Sequence, residues 1–408
     1  MSAPAVSRHD VIVAGTGPGG ASVARELARA GARVLMLESG GAAPLAGTLG
    51  QMAGMAAVPG RGAFLHRDLS LLVRALTTGG TSTINFATAA PPPAAMFARH
   101  GIDLAPSLAA LAAGLPWRRL DKMIRPAACR TGCWRCVYGC PYGAKWSARE
   151  LVDAARTQGA TLVTGAHVTS VLVEGGRAAG VQARVDGRLE TFRAGAVVLA
   201  AGGIGSPRIL RESALLAGPV PFFSDPVVAV MGTVDDVDGT GAEVPMAAGA
   251  GFPDEDFALA DLTLPRPMYA AFAAQAGRLD RLLAHARTLS IMVKIRDDPG
   301  GDVGPRWVDK TLLPADRARL ERGIAHARAI LAAAGAHHVF ASHHFAAHPG
   351  GTVPLGRALD ADLRTATPGL YVCDASVIPE PWGLPPTLTL LCLGWRLGRH
   401  LAAADRTA

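Results

Sequence analysis

Asp10-Val-Ile-Val-Ala-Gly-Thr-Gly-Pro-Gly-Gly20 is an apolar run that passes directly into a group of glycines. The apolar residues predict a buried parallel strand, and residues 21–30 predict the helix that follows it. A second apolar run, residues 33–38, ends in Glu38, about 20 residues beyond the glycines. Strand, G-x-G-x-x-G, helix, strand and acid in this order are typical of a dinucleotide-binding Rossmann unit.

Each residue of this motif has its own physical role. Gly15 makes the tight turn, Gly17 lets the backbone approach a pyrophosphate, and Gly20 lets the helix pack closely on the strand. The helix N-terminus offers N–H groups to the phosphates. The carboxylate of Glu38 can bind a ribose hydroxyl, and its charge disfavours the 2′-phosphate of NADP.

The composition narrows the class of protein. Of the 408 residues, 50% are hydrophobic and 18% charged, which allows a large core and excludes a disordered chain. The net charge is +7, but Lys and Arg form no run and aromatic residues make up only 5%, so we expect no nucleic-acid partner. No apolar stretch reaches the roughly 18 residues of a transmembrane segment. No signal peptide is visible, so we expect a cytoplasmic protein with reduced cysteines.

The rest of the chain predicts two interleaved domains. Residues 167–200 predict strands separated by hairpin turns, the last of them a buried strand over 196–200. Residues 216–345 differ in composition from the residues before them. They carry two predicted helices, at 269–287 and 314–334. The last 60 residues resemble a return to the first domain. We therefore predict an α/β protein in which residues 1–215 and 346–408 form a Rossmann-like domain, and residues 216–345 an α+β domain built on a β-sheet.

Five motifs occur in order along the chain. They are Gly15–Gly20 with Glu38, Gly79-Gly-Thr-Ser82 with Asn85, Ala200-Ala-Gly-Gly-Ile-Gly-Ser-Pro207, His348-Pro-Gly-Gly-Thr352 and Val372-Cys-Asp-Ala-Ser-Val-Ile-Pro379. Together they resemble the glucose–methanol–choline (GMC) oxidoreductase family, whereas residues 216–345 match it poorly. The resemblance implies an FAD-dependent dehydrogenase that oxidises a small-molecule alcohol to a carbonyl compound. The Ala- and Leu-rich second domain favours an apolar substrate.

The resemblance also assigns residues to parts of FAD. It assigns binding of the ADP half to the first motif and binding of the isoalloxazine to the turn around Asn85. It assigns contact with the adenine to the backbone of Val168. The ribityl–pyrophosphate portion falls to the segment after residue 372, and Gly202 ends a strand that returns to the cofactor. The residues implied are Gly15, Gly17, Gly20, Glu38, Gly80, Thr81, Ser82, Asn85, Val168, Gly202, Asp374 and Ala375.

His348 is the residue that the resemblance implies as the catalytic base. An imidazole suits proton transfer because its ordinary pKa lies near neutrality. The family usually places a second His or Asn just before Pro-Thr in the last motif, but here Pro385 stands there and offers no side-chain hydrogen bond. His343 or His344 can substitute, although on a strand they would point to opposite faces. The alternative is that both only pack or meet solvent.

Cysteines are concentrated in one short loop, Cys129-x3-Cys133-x2-Cys136-x3-Cys140-Pro141, which holds four of the six. The loop resembles a ferredoxin-type cluster loop, and some GMC dehydrogenases carry an iron–sulfur cluster at this point. We therefore expect these four residues to bind a [4Fe-4S] or [3Fe-4S] cluster that passes electrons to an external acceptor, a protein or a quinone. A zinc site, free thiols or a disulfide are the alternatives.

Other functions share the FAD motifs. A flavin-dependent C–C desaturase or reductase is one, favoured only by the departure at Pro385. A non-redox lyase that uses bound FAD is another, and an electron-transfer subunit without a substrate of its own is a third.

Overall fold

The structure, a computed structural model, describes residues 9–66, 70–107, 122–130, 132–235, 244–305 and 307–404. Within these ranges the strands form a seven-stranded sheet, an eight-stranded sheet and a two-stranded ribbon. Helices accompany both large sheets, so the α/β class predicted from the sequence is confirmed.

The seven-stranded sheet contains the predicted dinucleotide-binding unit. Its strands are β1 (His9–Ala14), β2 (Val34–Glu38), β5 (Thr161–Thr164), β6 (His167–Glu174), β7 (Arg177–Val185), β8 (Arg188–Leu199) and β17 (Leu370–Val372). β5, β2, β1 and β8 follow one another in parallel, and β17 runs parallel to the end of β8. The first half of β8 pairs with β7, and β7 with β6, in antiparallel fashion. β8 therefore joins the parallel core to an antiparallel extension.

The helices cover the sheets. In chain order they are α1 (Pro18–Arg29), α2 (Leu49–Ala56), α3 (Ala94–Ala98), α4 (Arg149–Thr157), α5 (Gly202–Glu212), α6 (Arg266–Gln275), α7 (Pro314–Ala333) and α8 (Thr387–Ala404). α1 packs against α4 and α8. The crossing of α1 and α8 is close, because a Cβ on Gly394 would lie 2.4 Å from the carbonyl oxygen of Gly19. Small residues thus bring the C-terminal helix against the helix that opens the dinucleotide motif.

The eight-stranded sheet is the second layer. Its strands are β3 (Ala63–Leu65), β4 (Leu71–Val73), β9 (Val227–Thr233), β10 (Gly249–Phe252), β11 (Phe257–Asp261), β12 (Thr288–Ile295), β15 (His337–Ala341) and β16 (Phe345–Ala346). The order is β10-β11-β12-β9-β16-β4-β3, with β15 also paired to β9. β13 (Asp302–Val303) and β14 (Val308–Asp309) form the separate ribbon.

Side-chain alternation along β9 and β12 gives this sheet two covered faces. Val228 and Val230 pack with Val293 toward α7. Ala229, Met231 and Met292 lie on the other face, in the cluster that includes Tyr269 and Ala273 of α6. Lys294 follows Met292 by two residues and so lies on the α6 face, where the substrate region described below is found.

Several boundaries differ from those expected. The strand predicted over 196–200 is the end of a longer strand, β8, which begins at Arg188 and ends at Leu199. The predicted helix over 269–287 ends at Gln275, because Gly277 has a φ of +70° just beyond it and stops the helix. β3 and β4, from residues 63–73, join the second sheet rather than the first. No helix in the described part of the chain has the length and apolar character needed to cross a membrane.

Candidate active site

One large cavity, of about 1210 Å³, connects the two sheets. One end lies where the parallel strands of the first sheet finish, at Ala14, Glu38 and Ala200. The other end reaches Met292 and Phe345 on the second sheet. Ligands of open α/β sheets bind outside the carboxyl ends of the strands, so the first end is where a dinucleotide is expected.

The glycine turn has the shape that the motif predicts. Gly15 has a φ of +104°, and a Cβ there would lie 2.3 Å from the carbonyl oxygen of Ala200. Gly17 is the N-cap of α1, and a Cβ added to it would meet no atom within 4 Å, so its backbone faces open cavity. Gly20 lies behind the turn, where a Cβ would lie 2.7 Å from that of Ala200. Gly15 therefore makes the turn, Gly17 leaves backbone open to the cavity, and Gly20 allows close packing.

Glu38 is held in place at the end of β2. Its carboxylate accepts hydrogen bonds from the backbone and hydroxyl of Thr16, at 3.0 and 2.7 Å, and from the Gly40 N–H at 2.8 Å. A carboxylate has about four lone-pair positions, so one remains for a ribose hydroxyl. Thr16 was not identified from the sequence, although it occupies a variable position of G-x-G-x-x-G.

Asp374 links the C-terminal segment to the N-terminus of α5. It accepts hydrogen bonds from the Gly202 N–H at 2.8 Å, the Ser206 hydroxyl at 2.5 Å and the Ser376 N–H at 2.8 Å. Burial raises the pKa of Asp374, and these donors act in the opposite direction. Gly202, Asp374 and Ala375 all line the cavity.

The turn at residues 79–82 lies beside the dinucleotide motif. The Gly79 N–H donates to the Thr16 hydroxyl at 3.1 Å, and a Cβ on Gly80 would lie 3.1 Å from Cα of Gly17. Asn85 donates through its amide to Thr387, the first residue of α8, at 3.2 Å. The predicted residues Gly80, Thr81, Ser82, Asn85 and Val168 all line the cavity.

Arg74 is a cofactor-site candidate that the sequence reasoning missed. It lines the cavity beside the N-terminus of α5, where its guanidinium donates to the Ala201 carbonyl at 2.8 Å and to the Arg61 carbonyl at 2.6 Å. Burial, followed by the charge of Arg208, lowers the pKa of Arg74 to about 10. It is an arginine five residues before the paired glycines Gly79 and Gly80, and that spacing was the signal available in the sequence.

These residues fit FAD. The N-termini of α1 and α5 both open on the cavity, and helix N-termini favour phosphate. Arg74 adds a positive charge there, and Glu38 keeps a free acceptor position for a ribose. The uncovered backbone at Gly17 and the predicted residues that line the cavity form a continuous path from Glu38 to Asn85.

His348 lies on the cavity wall, between this path and the second sheet. Its Nδ1 is 3.3 Å from Nζ of Lys294 and 3.7 Å from Oδ2 of Asp225. Lys294 and Asp225 form an ion pair at 3.1 Å, and their side chains are 6% and 0% exposed. Burial first, and then the charge of Lys294, lower the pKa of His348, while Asp225 acts in the opposite direction.

Asp225 is held in a strained conformation. Its φ is +51°, and Pro226 follows it, although residues before proline normally adopt extended backbone. Asp297 fixes this bend by accepting the N–H groups of Ser224 and Asp225, the latter at 2.8 Å. Asp297 is in turn paired with Lys310 at 2.8 Å. Strain of this kind occurs mostly at functional sites, because surrounding contacts must maintain it.

Neither Asp225 nor Lys294 was identified from the sequence. A signal existed for Lys294, a lysine within the apolar strand Ser290-Ile-Met-Val-Lys-Ile295, on the same side as Met292. The sequence contains no similar signal for Asp225, because its approach to His348 depends on the bend before β9.

The expected substitutes for the missing histidine or asparagine are elsewhere. Pro385 lies on the cavity wall, as the resemblance implies, and carries no polar group. His343 and His344 are not on a strand but in the segment between β15 and β16, and neither lines the large cavity. His344 lines a separate small cavity with Lys310 and Phe222. The polar group beside His348 is therefore Lys294 with Asp225, not His343 or His344.

The cysteine loop does not have the geometry predicted for it. Within the part of the chain that the structure describes, which leaves out Thr131 of this loop, no group of three or more His, Cys, Asp or Glu side chains could hold a metal ion. Cys136 is buried, and burial raises the pKa of its thiol to about 11. The expected cluster at Cys129, Cys133, Cys136 and Cys140 is therefore not supported.

The loop instead forms part of the cavity wall. Val137 lines the cavity, and the ring of Trp134 lies 5.4 Å from that of His285 in the second layer. On its other side, a Cβ on Gly139 would lie 3.0 Å from the side chain of Leu45. The loop thus packs against both layers beside the cavity.

The end of the cavity beyond His348 is apolar. Its wall comes from β9, β12, β16 and α6, together with the segment before α6. We refer to the following residues as the apolar wall: Val227, Leu262, Leu264, Met268, Phe272, Met292 and Phe345.

Comparison with known proteins points to one family. Sequence profiles described as GMC oxidoreductase match residues 105–221, for the N-terminal domain, and 293–394, for the C-terminal domain, which together make up more than half of the chain. An uncharacterised GMC-type oxidoreductase of Mycobacterium tuberculosis is 28% identical, covering 99% of this chain and 76% of the relative. A long-chain-alcohol oxidase of Arabidopsis thaliana is 25% identical, covering 96% of this chain and 66% of that one.

Solved structures share the fold. Formate oxidase of Aspergillus oryzae superposes with a TM-score of 0.75 at 16% identity, covering 99% of this chain and 100% of its own. Pyridoxine 4-oxidase from Mesorbium loti superposes with a TM-score of 0.67 at 16% identity, covering 96% and 99%. At this identity the superpositions show that the three proteins share a fold.

Proposed function

Because this chain belongs to the GMC oxidoreductase family, we propose that it uses FAD to oxidise an alcohol with an apolar body, and that His348 takes the hydroxyl proton. One observation carries the proposal. His348 lines a cavity that runs from the FAD residues at one end to the apolar wall at the other. An alcohol bound along the apolar wall would present its hydroxyl group near the imidazole.

The chemistry divides between cofactor and protein. Bound FAD supplies the acceptor for the hydride that leaves the carbinol carbon. Nε2 of His348 has no hydrogen-bond partner among the described residues, so it is the nitrogen that can meet the substrate oxygen. It accepts the hydroxyl proton as the carbonyl forms. A positioned imidazole typically contributes about 10² to 10⁴ to the rate of such a step.

The apolar wall supports an alcohol with an apolar body as the substrate. Burying each CH₂ group contributes about 0.8 kcal/mol, close to a fourfold gain in binding. Two methionines, Met268 and Met292, give the wall flexible side chains that can follow substrates of different length. That a relative of similar sequence is named a long-chain-alcohol oxidase supports the same choice.

The proposal also divides the chain by role. Residues 1–215 and 346–408 would bind FAD, and residues 216–345 would bind the substrate, with β3 and β4 added to the second group. The acceptor that takes the electrons from the protein would be an external protein or a quinone. The protein would work in the cytoplasm.

Anaerobic mixing of the FAD-loaded protein with linear primary alcohols of increasing length tests the proposal. We expect the flavin to bleach, with an apparent second-order rate constant that rises with chain length until the wall is filled. Re-oxidation of the bleached protein by a quinone faster than by O₂ would support the external acceptor. Turnover without bleaching would instead indicate a lyase, and bleaching only by another reduced protein would indicate an electron-transfer subunit.

A further inference from the structure

Nδ1 of His348 has two charged neighbours of opposite sign. Lys294 reaches it from β12, at 3.3 Å, and Asp225 reaches it from the bend before β9, at 3.7 Å. These are the titratable groups of the described residues that act on His348. Both are almost completely buried, so solvent does little to screen them.

The two neighbours favour different tautomers of the imidazole. An ammonium group can only donate, so its contact with Nδ1 requires a lone pair there, and the neutral ring then carries its proton on Nε2. A carboxylate can only accept, so its contact requires Nδ1–H, and the neutral ring then has its lone pair on Nε2. The hydrogen bond at one ring nitrogen thereby decides what the other can do.

We infer that Lys294 and Asp225 are an opposed pair of positioning residues that sets the tautomer and the charge of His348, with Asp225 enabling it to accept a proton and Lys294 keeping it neutral. The inference rests on the proposed function, because it concerns the residue that would take the alcohol proton. Neither residue needs to touch the substrate. The pair takes the role of the polar partner of His348 that Pro385 cannot provide.

The strained bend at Asp225 keeps Lys294 and Asp225 both in contact with Nδ1 of His348. Asp225 approaches both Lys294 and His348 from a left-handed conformation that Asp297 fixes through the backbone N–H groups. Neither oxygen of Asp225 has a hydrogen bond beyond its ion pairs among the described residues. The carboxylate is thus free to shift between the ammonium and an Nδ1–H as the imidazole gains or loses its proton.

The direct test is nitrogen NMR of the FAD-loaded protein labelled with ¹⁵N-histidine. The chain has 12 histidines, and the signals of His348 are those absent from His348→Gln. Lys294→Met should move His348 toward the Nδ1–H tautomer and raise the midpoint of its titration by about 1 pH unit or more. Asp225→Asn should move it toward the Nε2–H tautomer and lower the midpoint. Shifts in the same direction, or no shift in either variant, would overturn the inference.

A double variant and a matched control separate this effect from damage to the fold. Lys294→Met with Asp225→Asn leaves no unpaired buried charge, so it should fold even where a single variant does not. In this double variant His348 should lose the tautomer preference that it has in wild type. Nitrogen NMR signals of His348 identical to those of wild type would contradict the inference. Lys122→Met removes a similarly buried lysine whose ammonium donates to the Phe86 carbonyl and the Thr88 hydroxyl, and it should leave the tautomer of His348 unchanged.

The pH profile of flavin bleaching provides the kinetic counterpart. Oxidation requires neutral His348, so activity is lost as the pH falls through its pKa. Lys294→Met should therefore move the acidic limb to higher pH, and Asp225→Asn should move it to lower pH with a smaller plateau rate. Because the NMR measurement needs no substrate, the opposed pair can be established or rejected even if no alcohol bleaches the flavin.

Discussion

Lys145 donates hydrogen bonds from Nζ to both oxygens of Asn85, at 2.9 Å to the backbone carbonyl and 3.1 Å to the side chain. The carbonyl oxygens of Ser82 and Thr83 lie 3.0 and 2.8 Å from the same Nζ, so the three N–H groups of the ammonium are shared among four acceptors. A single buried lysine from the end of the cysteine loop thereby holds the turn that the resemblance assigns to the isoalloxazine.

Lys145 should make stability depend on pH. Burial lowers its pKa from 10.5 to about 7, so between these values the unfolded chain binds more protons than the folded protein. The free energy of unfolding should therefore rise with pH, by about 2 kcal/mol between about pH 7 and pH 9 relative to Lys145→Met. Urea denaturation of both proteins at the two pH values measures this difference. Parallel pH dependences in the two proteins would contradict it.

Gly15 and Gly17 should respond differently to the same substitution. Gly15→Ala places a Cβ against the Ala200 carbonyl at a φ of +104°, so the apoprotein should lose at least about 2 kcal/mol of stability. Gly17→Ala places a methyl group in open cavity at a φ of −64°, so the apoprotein should unfold as wild type does. Its affinity for FAD should nevertheless fall about tenfold or more, since the methyl occupies the approach to the pyrophosphate. Denaturation of the apoproteins and titration with FAD separate the two effects.

His348→Gln should lower the rate of flavin bleaching by an alcohol by about 10² to 10⁴, the usual contribution of a general base. FAD content should remain that of wild type, because none of the contacts assigned to the dinucleotide involves His348. Stopped-flow reduction and flavin quantification on the same preparation measure both. His343→Gln, at a residue outside the large cavity, is the matched control and should be near wild type. A bleaching rate that survives in His348→Gln would remove His348 from the mechanism.

Met268→Gln should weaken binding of apolar alcohols without changing the chemical step. The residue lies on the apolar wall and is half-buried, so an amide there would lose solvation when a hydrocarbon chain packs against it. KM for a long alcohol should rise about tenfold while kcat stays nearly constant, because the lost interaction is the same in ground and transition states. Met268→Leu keeps the wall apolar and should behave as wild type. An equal effect on the shortest alcohol would show that Met268 does not meet the chain.

The first sheet was predictable because its signals are local. The apolar run of β1, the glycines after it and the acid at Glu38 each act within about 30 residues, the length of one βαβ unit. Apart from Gly20, which packs behind the turn, the predicted FAD residues from Gly15 to Ala375 line one cavity for the same reason, since they lie at the ends of strands or in turns whose conformation nearby residues impose.

Contacts between distant segments were not predictable. The cysteine spacing suggested a metal loop, but the loop packs through Gly139 against Leu45 and through Trp134 against His285, contacts that the spacing does not contain. The partner of His348 was sought among its neighbours in sequence, at His343 and His344. It lies instead at Lys294 and Asp225, 54 and 123 residues away, because pairing of β9 with β12 brings them together.

The sequence alone determined which class of cofactor this protein holds and predicted where along the chain its binding residues fall, because a phosphate-binding turn is a property of a few consecutive residues. Tertiary structure alone decided which charges surround the imidazole. The ion pair of Lys294 and Asp225 exists only where a strand of the second sheet meets a strained bend beside His348. Burial at that meeting point makes the two charges strong enough to act on the ring, and burial is a property of the folded chain.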